Sequence, residues 1–192
     1  GPRPDEYDFD VPVTIRIWRR SEGGSASCEG PVDELDFETY VARVLAHEWY
    51  MSWNGESHKA GAIAIRSYAA WWVNAGGKYD CADVCDTTYT QAYGDDSHVN
   101  ADIAVEATLG QFIVDDGSVV FAEYSSENSD PTEYGVSDPH CTGTERYGHG
   151  RGMCQFGTMR WADYDSKSPE WMVEHYYPGA SVTGSFAGVL EG

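Results

Sequence analysis

Apolar residues recur at helical spacing from Phe37 onward. Phe37, Tyr40, Val41, Val44 and Leu45 form one stripe, and Glu48 falls on that same stripe. The spacing predicts a helix over 37–48, with Asp36 as its N-cap. After a turn at Asn54-Gly55, a second helical pattern runs from about His58 to Asn74 and stops at Gly76-Gly77. Its face of Ala60, Ile63, Ala64, Ser67, Tyr68 and Trp71 begins small, which allows close approach to the first helix. A period of two governs Val11, Val13, Ile15 and Ile17, which alternate with Pro12, Thr14, Arg16 and Trp18 as in a half-buried strand. Residues 111–114 and 119–124 are also strand-like, and 115–118 read as a hairpin turn between them. Asn100 is the expected cap of a short helix through Ala107. Ser168, followed by Pro169, opens a last helix that ends at Tyr177-Pro178-Gly179.

Residues 21–30 are rich in Gly and Ser and read as a loop. Residues 125–152 are polar, Gly-rich and without period, and so long a loop in a domain is usually functional. No internal repeat or linker interrupts the chain. The order of elements predicts an α+β fold: a central helix pair packed on an antiparallel sheet, in a single domain over 11–192. Residues 1–10 are acidic and expected to be mobile. Gly1-Pro2 is expected to be a protease scar, with a secretion signal trimmed ahead of it.

Composition narrows the classes. With 192 residues, 41% of them hydrophobic, the chain can bury a substantial core. Its 7 Trp and 13 Tyr suit a carbohydrate cleft as well as a core. No run is long and apolar enough to span a bilayer. Twelve basic and 32 acidic residues leave a net charge of −20. That field repels nucleic acid and anionic membranes. It suits a secreted protein or one from a salty habitat, and it disfavours a strongly anionic polymer unless the cleft is locally neutral or the salt high. Five cysteines, at positions 28, 81, 85, 141 and 154, leave one outside any set of internal pairs. Cys141 and Cys154 bracket the Gly-rich loop and are placed to close it. Cys81 and Cys85 read either as a local bridge or as part of a metal site, and their spacing alone is a weak zinc signal.

Glu48 is the first candidate for chemistry. A carboxylate on an apolar helix face must face a core or a groove, and losing water raises its pKa, as a general acid requires. The competing reading is a structural Glu that pairs with an Arg or caps a neighbouring helix.

Seven segments then carry a resemblance: residues 45–53 (LAHEWYMSW), 58–69 (HKAGAIAIRSYA), 83–93 (DVCDTTYTQAY), 104–111 (AVEATLGQ), the Tyr124-Ser125-Ser126 step, 148–157 (GHGRGMCQFG) and 175–180 (HYYPGA). In order and content they resemble the SpoIID/LytB family, whose members include sporulation lytic transglycosylases acting on peptidoglycan. The resemblance covers roughly residues 32 to 184. It implies a catalytic acid at Glu48, which would protonate the glycosidic oxygen. The same group would then take a proton from the sugar's 6-hydroxyl, leaving a 1,6-anhydro product. A hydrolase more often needs a second carboxylate. Asp86 is the nearest candidate for one, and its other reading is a turn or cap residue.

The remaining candidates play supporting parts. Gln91 and Tyr93 alternate and would line a glycan cleft from one side, or form a core Tyr beside a surface Gln. Ser125 and Ser126 would bind sugar hydroxyls or turn the chain. His149 projects between Gly148 and Gly150, to orient Glu48, bind saccharide or ligate a metal. Gln155 is a substrate-binding candidate. Arg66 is expected in a structural pair away from Glu48, whose pKa it would otherwise lower.

The chain departs from the family pattern in three places. Tyr89 and Thr90 stand where the family often has His and Cys, so no zinc and no other cofactor is expected. Glu127-Asn128 follows the serine pair in place of glycines, and Trp49-Tyr50 follows Glu48 in place of Met-Pro. The resulting expectation is a secreted, periplasmic or wall-associated peptidoglycan lytic transglycosylase acting on peptide-stripped strands, with no nucleic-acid partner. A glycoside hydrolase and a non-catalytic glycan-binding amidase-enhancer module are the alternatives.

Overall fold

Helix α1 (Phe37–Glu48) starts where the pattern predicts. The Asp36 carboxylate accepts the Thr39 N–H at 3.0 Å, and Phe37, Tyr40, Val41, Val44 and Leu45 are buried. The computed structural model describes residues 7–128, 136–141 and 145–184. Helix α2 (Gly55–Asn74) begins earlier than the periodicity suggests, because Asn54 caps it by accepting the Glu56 N–H at 2.9 Å. Thirteen of its 20 residues are buried, more than one face can account for. It is the hub of the molecule, packed by α1, α3 (Val99–Ala107), α4 (Gln155–Asp165) and α5 (Pro169–Tyr176). Small residues make this possible: a Cβ at Gly61 would lie 2.7 Å from the indole of Trp49.

Arg66 sits inside this helical cluster, fully buried. Its guanidinium donates to both carboxylate oxygens of Glu38 at 2.9–3.1 Å, and to the carbonyls of Val105 and Gln111 at 3.2 Å. A buried charge is tolerable only when paired and fully hydrogen-bonded, and here one side chain ties α2 to α1 and α3.

The expected single sheet is corrected. Among the described residues the strands form three small separate sheets. In the first, β1 (Thr14–Trp18) pairs antiparallel with β2 (Val32–Asp36) and parallel with β3 (Val84–Cys85). In the second, β4 (Ile113–Asp115) lies between β5 (Ser118–Val119) and β8 (Ser181–Val182), all antiparallel. The third is a parallel pair of β6 (Tyr124–Ser125) and β7 (Met153–Cys154). The α+β class stands, but a central helix pair on one sheet does not. Strands of two to five residues are too short to make one broad layer. With helices on several sides, α2 leaves no flat face for such a layer to cover.

Local corrections follow the same logic. Val13 is 78% exposed, so of the predicted inward stripe only Ile15 and Ile17 are buried, while Trp18 on the opposite face is buried as well. His98, not Asn100, caps α3; the Asn100 amide donates instead to the Met51 carbonyl at 2.8 Å. The predicted strand over 119–124 is two separate strands, β5 and β6, in different sheets. Ser168 caps α5 as expected, with Pro169 in its first turn.

Of the segment expected to be mobile, residues 1–6 lie outside the described residues; Tyr7 and Phe9 pack against the core. Of the long polar loop, 129–135 and 142–144 likewise lie outside the described residues. Cys81 pairs with Cys28 rather than Cys85, joining the loop after β1 to the approach to β3. The sulfurs of Cys141 and Cys154 face each other at 2.8 Å across the Gly-rich loop.

Candidate functional site

The end of α1 fixes Glu48. The next residue, Trp49, turns to extended backbone and buries its indole over Gly61. That indole contacts the Tyr124 ring at 5.1 Å and donates to Thr158 Oγ1 at 3.2 Å. With the following residue anchored, the Glu48 carboxylate is half-buried and accepts the Ala92 N–H at 2.6 Å. Its backbone carbonyl accepts the Gln155 side-chain amide, also at 2.6 Å. Burial raises the Glu48 pKa; the Ala92 N–H and the Gln155 amide oppose the rise without cancelling it.

The β6–β7 pair brings the two motif loops to this carboxylate. Ser125 Oγ donates to Asn128 Oδ1 at 2.6 Å and accepts the Gly150 N–H at 3.2 Å. Gly148 has a φ of +101°, and a Cβ there would lie 2.7 Å from that of Ser125. His149 Nδ1 accepts the Arg151 N–H at 2.9 Å, and its Nε2 lies 4.0 Å from Glu123 Oε2. Glu123 is in turn gripped by the Arg151 guanidinium at 2.7 Å.

Together these groups enclose a cavity of about 600 Å³. Such a volume is in the usual range of small-ligand pockets, roughly 300–1,000 Å³. Five of the residues singled out from sequence meet there: Glu48, Ser125, Ser126, His149 and Gln155. Four do not line it. Gln91 is fully buried; its amide donates to Tyr40 Oη at 3.3 Å and accepts the Tyr124 hydroxyl at 2.8 Å. Tyr93 is buried against Tyr40, 5.6 Å between ring centroids, and its hydroxyl accepts from Arg43. Asp86 takes the Ser21 N–H at 3.0 Å and the Ser21 hydroxyl, a long-range contact rather than the local backbone bond of a turn residue. Arg66 holds Glu38.

Sequence reasoning missed Tyr68, Lys78, Phe121, Glu123, Tyr147 and Arg151, which also line the cavity. Tyr68 was read as core, and it does sit on the helical stripe. Tyr147 and Arg151 flank the Gly-His-Gly step, and that proximity was the available signal. Nothing in local pattern marks Lys78 or Phe121. Elsewhere, potential ligand atoms of Glu127, Cys141 and Cys154 lie within 4.8 Å of one another, but Arg160 already pairs with that Glu. None of these three lines the cavity.

Comparison with known proteins bears on this arrangement. Residues 27–114 match the SpoIID family, described as stage II sporulation protein. The chain is 33% identical over 119 residues to an uncharacterised protein of Brachyspira hyodysenteriae, which covers 58% of this chain and 32% of that one. It is 38% identical over 91 residues to the amidase enhancer of Bacillus subtilis, which covers 47% of this chain and 12% of that one. The chain thus spans less than two thirds of either relative.

The expectation of a glycan-cleaving enzyme is corrected. The relative with a functional name is an amidase enhancer. The described residues also assemble no clear catalytic cluster in the groove: Glu123 is held by Arg151, and Asp86 lies elsewhere. No described helix is long and apolar enough to cross a membrane. What the sequence and its relatives establish is a SpoIID-like segment over residues 27–114, with the groove carboxylate Glu48 inside it, and a 91-residue similarity to an amidase enhancer.

Proposed function

We propose that this chain is a glycan-binding module of the amidase-enhancer kind, holding peptidoglycan strands in the Glu48 groove without cutting them. The observation that carries the reading is the composition of the cavity wall. Aromatic rings (Tyr68, Phe121, Tyr147) stand beside short hydrogen-bonding groups (Ser125, Ser126, Gln155) around one half-buried carboxyl. Sugars present apolar ring faces and a rim of hydroxyl and acetamide groups, and such a wall meets both. In its raised-pKa setting Glu48 serves as a hydrogen-bonding partner to a sugar hydroxyl or amide. The kinship with an amidase enhancer supports a role beside a wall hydrolase.

Co-sedimentation with purified, peptide-stripped peptidoglycan, followed by mass spectrometry of the supernatant, tests the proposal. The expected result is retention of the protein on the glycan with no soluble fragments. Anhydro-ended or reducing-ended fragments released by the chain would overturn the non-catalytic reading. Absence of retention would overturn the glycan itself as partner.

A further inference from the structure

Outside the cavity, three aromatic side chains form a cluster that nothing above employs. Tyr50, Trp53 and Phe156 meet with ring centroids 5.1, 5.9 and 4.9 Å apart, mutually tilted. Tyr50 is 61% exposed, one of four aromatic rings among the described residues that lie open to solvent. None of the three lines the cavity, yet two of them are tied to residues of its wall. Tyr50 follows Glu48 by two residues, and Phe156 directly follows Gln155. The Phe156 N–H donates to the Ser126 carbonyl at 3.2 Å.

The cluster is held in place. The Tyr50 carbonyl accepts the Trp53 N–H at 3.1 Å and lies 2.9 Å from His58 Nε2, so the turn between the rings is pinned to α2. The Arg160 guanidinium lies 5.5 Å from the Phe156 centroid and is itself fixed by Glu127 and by the His140 carbonyl at 2.8 Å. A prearranged aromatic surface loses little conformational freedom on binding.

We infer that Tyr50, Trp53 and Phe156 form a second sugar-binding platform, which takes the pyranose face of a glycan strand as it leaves the Glu48 cavity. This rests on the glycan-binding reading and extends it from one cavity to a longer track. Two observations favour a sugar as occupant. The platform adjoins the cavity along the chain, through residues 48–50 and 155–156 and the bond from the Phe156 N–H to the Ser126 carbonyl. Its three rings carry no charge in a chain of net charge −20, which suits a neutral ring face better than an ionic partner.

The test is isothermal titration with peptide-free fragments of alternating N-acetylglucosamine and N-acetylmuramic acid, a disaccharide and a hexasaccharide. Wild type is expected to bind the hexasaccharide about tenfold more tightly than the disaccharide, the scale of one good aromatic contact. Tyr50→Ala should lose most of that gain and leave disaccharide affinity unchanged, whereas Tyr50→Phe should keep it. Disaccharide binding with no gain from length overturns the platform alone. So does a Tyr50→Ala variant that binds the hexasaccharide like wild type, weakens both fragments alike, or turns a dimer into a monomer on gel filtration. Failure of both fragments to bind overturns the glycan-binding reading and the platform with it.

Discussion

At Glu48 a single carboxylate combines burial with only partial hydrogen-bond compensation, and its stability effect has a definite sign. Burial raises its folded-state pKa above the ordinary value of 4.5. A group whose folded pKa is raised contributes stability fully present below the unfolded pKa and lost as pH rises through the folded one. Glu48→Gln keeps an acceptor for the Ala92 N–H and removes the charge. The variant should therefore melt above wild type at neutral pH, and the gap should close as pH falls below the ordinary Glu value. Thermal unfolding across that range checks this, and a gap that widens in acid would contradict it. Glu48 was legible from sequence because helical spacing alone put it on the buried stripe. Gln91 and Tyr93 do face one side, both against Tyr40, but that side is the core and not the cavity, which alternation alone cannot distinguish.

Elements were legible where apolar stripes and caps agreed. Asp36 and Ser168 announced α1 and α5, and Asp36→Ala should cost about 1 kcal/mol in denaturant unfolding. Helix α4 gave no such announcement. Its buried face is Gln155, Gly157, Thr158, Trp161 and Ala162, largely polar or small, and its cap is Cys154. A hydrophobic pattern cannot report a helix whose inner face bonds to other polar groups, as Thr158 Oγ1 does to Ser57 and Trp49. The junction of α1, α2 and α3 depends on Arg66 instead. Truncating it strands Glu38 and two carbonyls, so Arg66→Ala should destabilise by about 3–5 kcal/mol, far beyond a surface pair. Denaturant melts of that variant measure it, and a loss below about 1 kcal/mol would show the network to be dispensable.

The whole molecule carries a net charge of −20 and a cross-link over 53 positions, and both act on global stability. Self-repulsion should make the melting temperature rise as salt goes from about 0.01 M to about 1 M, shrinking the screening length from roughly 30 to roughly 3 Å. A flat or falling salt profile would show local ion pairs to dominate. Replacing Cys28 and Cys81 by Ser should cost about 2–4 kcal/mol, because a long loop regains its freedom in the unfolded chain. The chain's α+β class could be read from its order of elements. The division into three sheets could not, since the short strands β3, β6 and β7 leave no period to detect and pair with partners remote in sequence.

Gly61 gives the groove a control point on its far side. The indole of Trp49 lies where a methyl group at position 61 would sit, and that indole anchors the backbone right after Glu48. A single added carbon on α2 would displace a lever whose other end is the groove floor. The shape of the groove can thus drift by substitutions outside its lining, and a search for its determinants confined to that lining would overlook them.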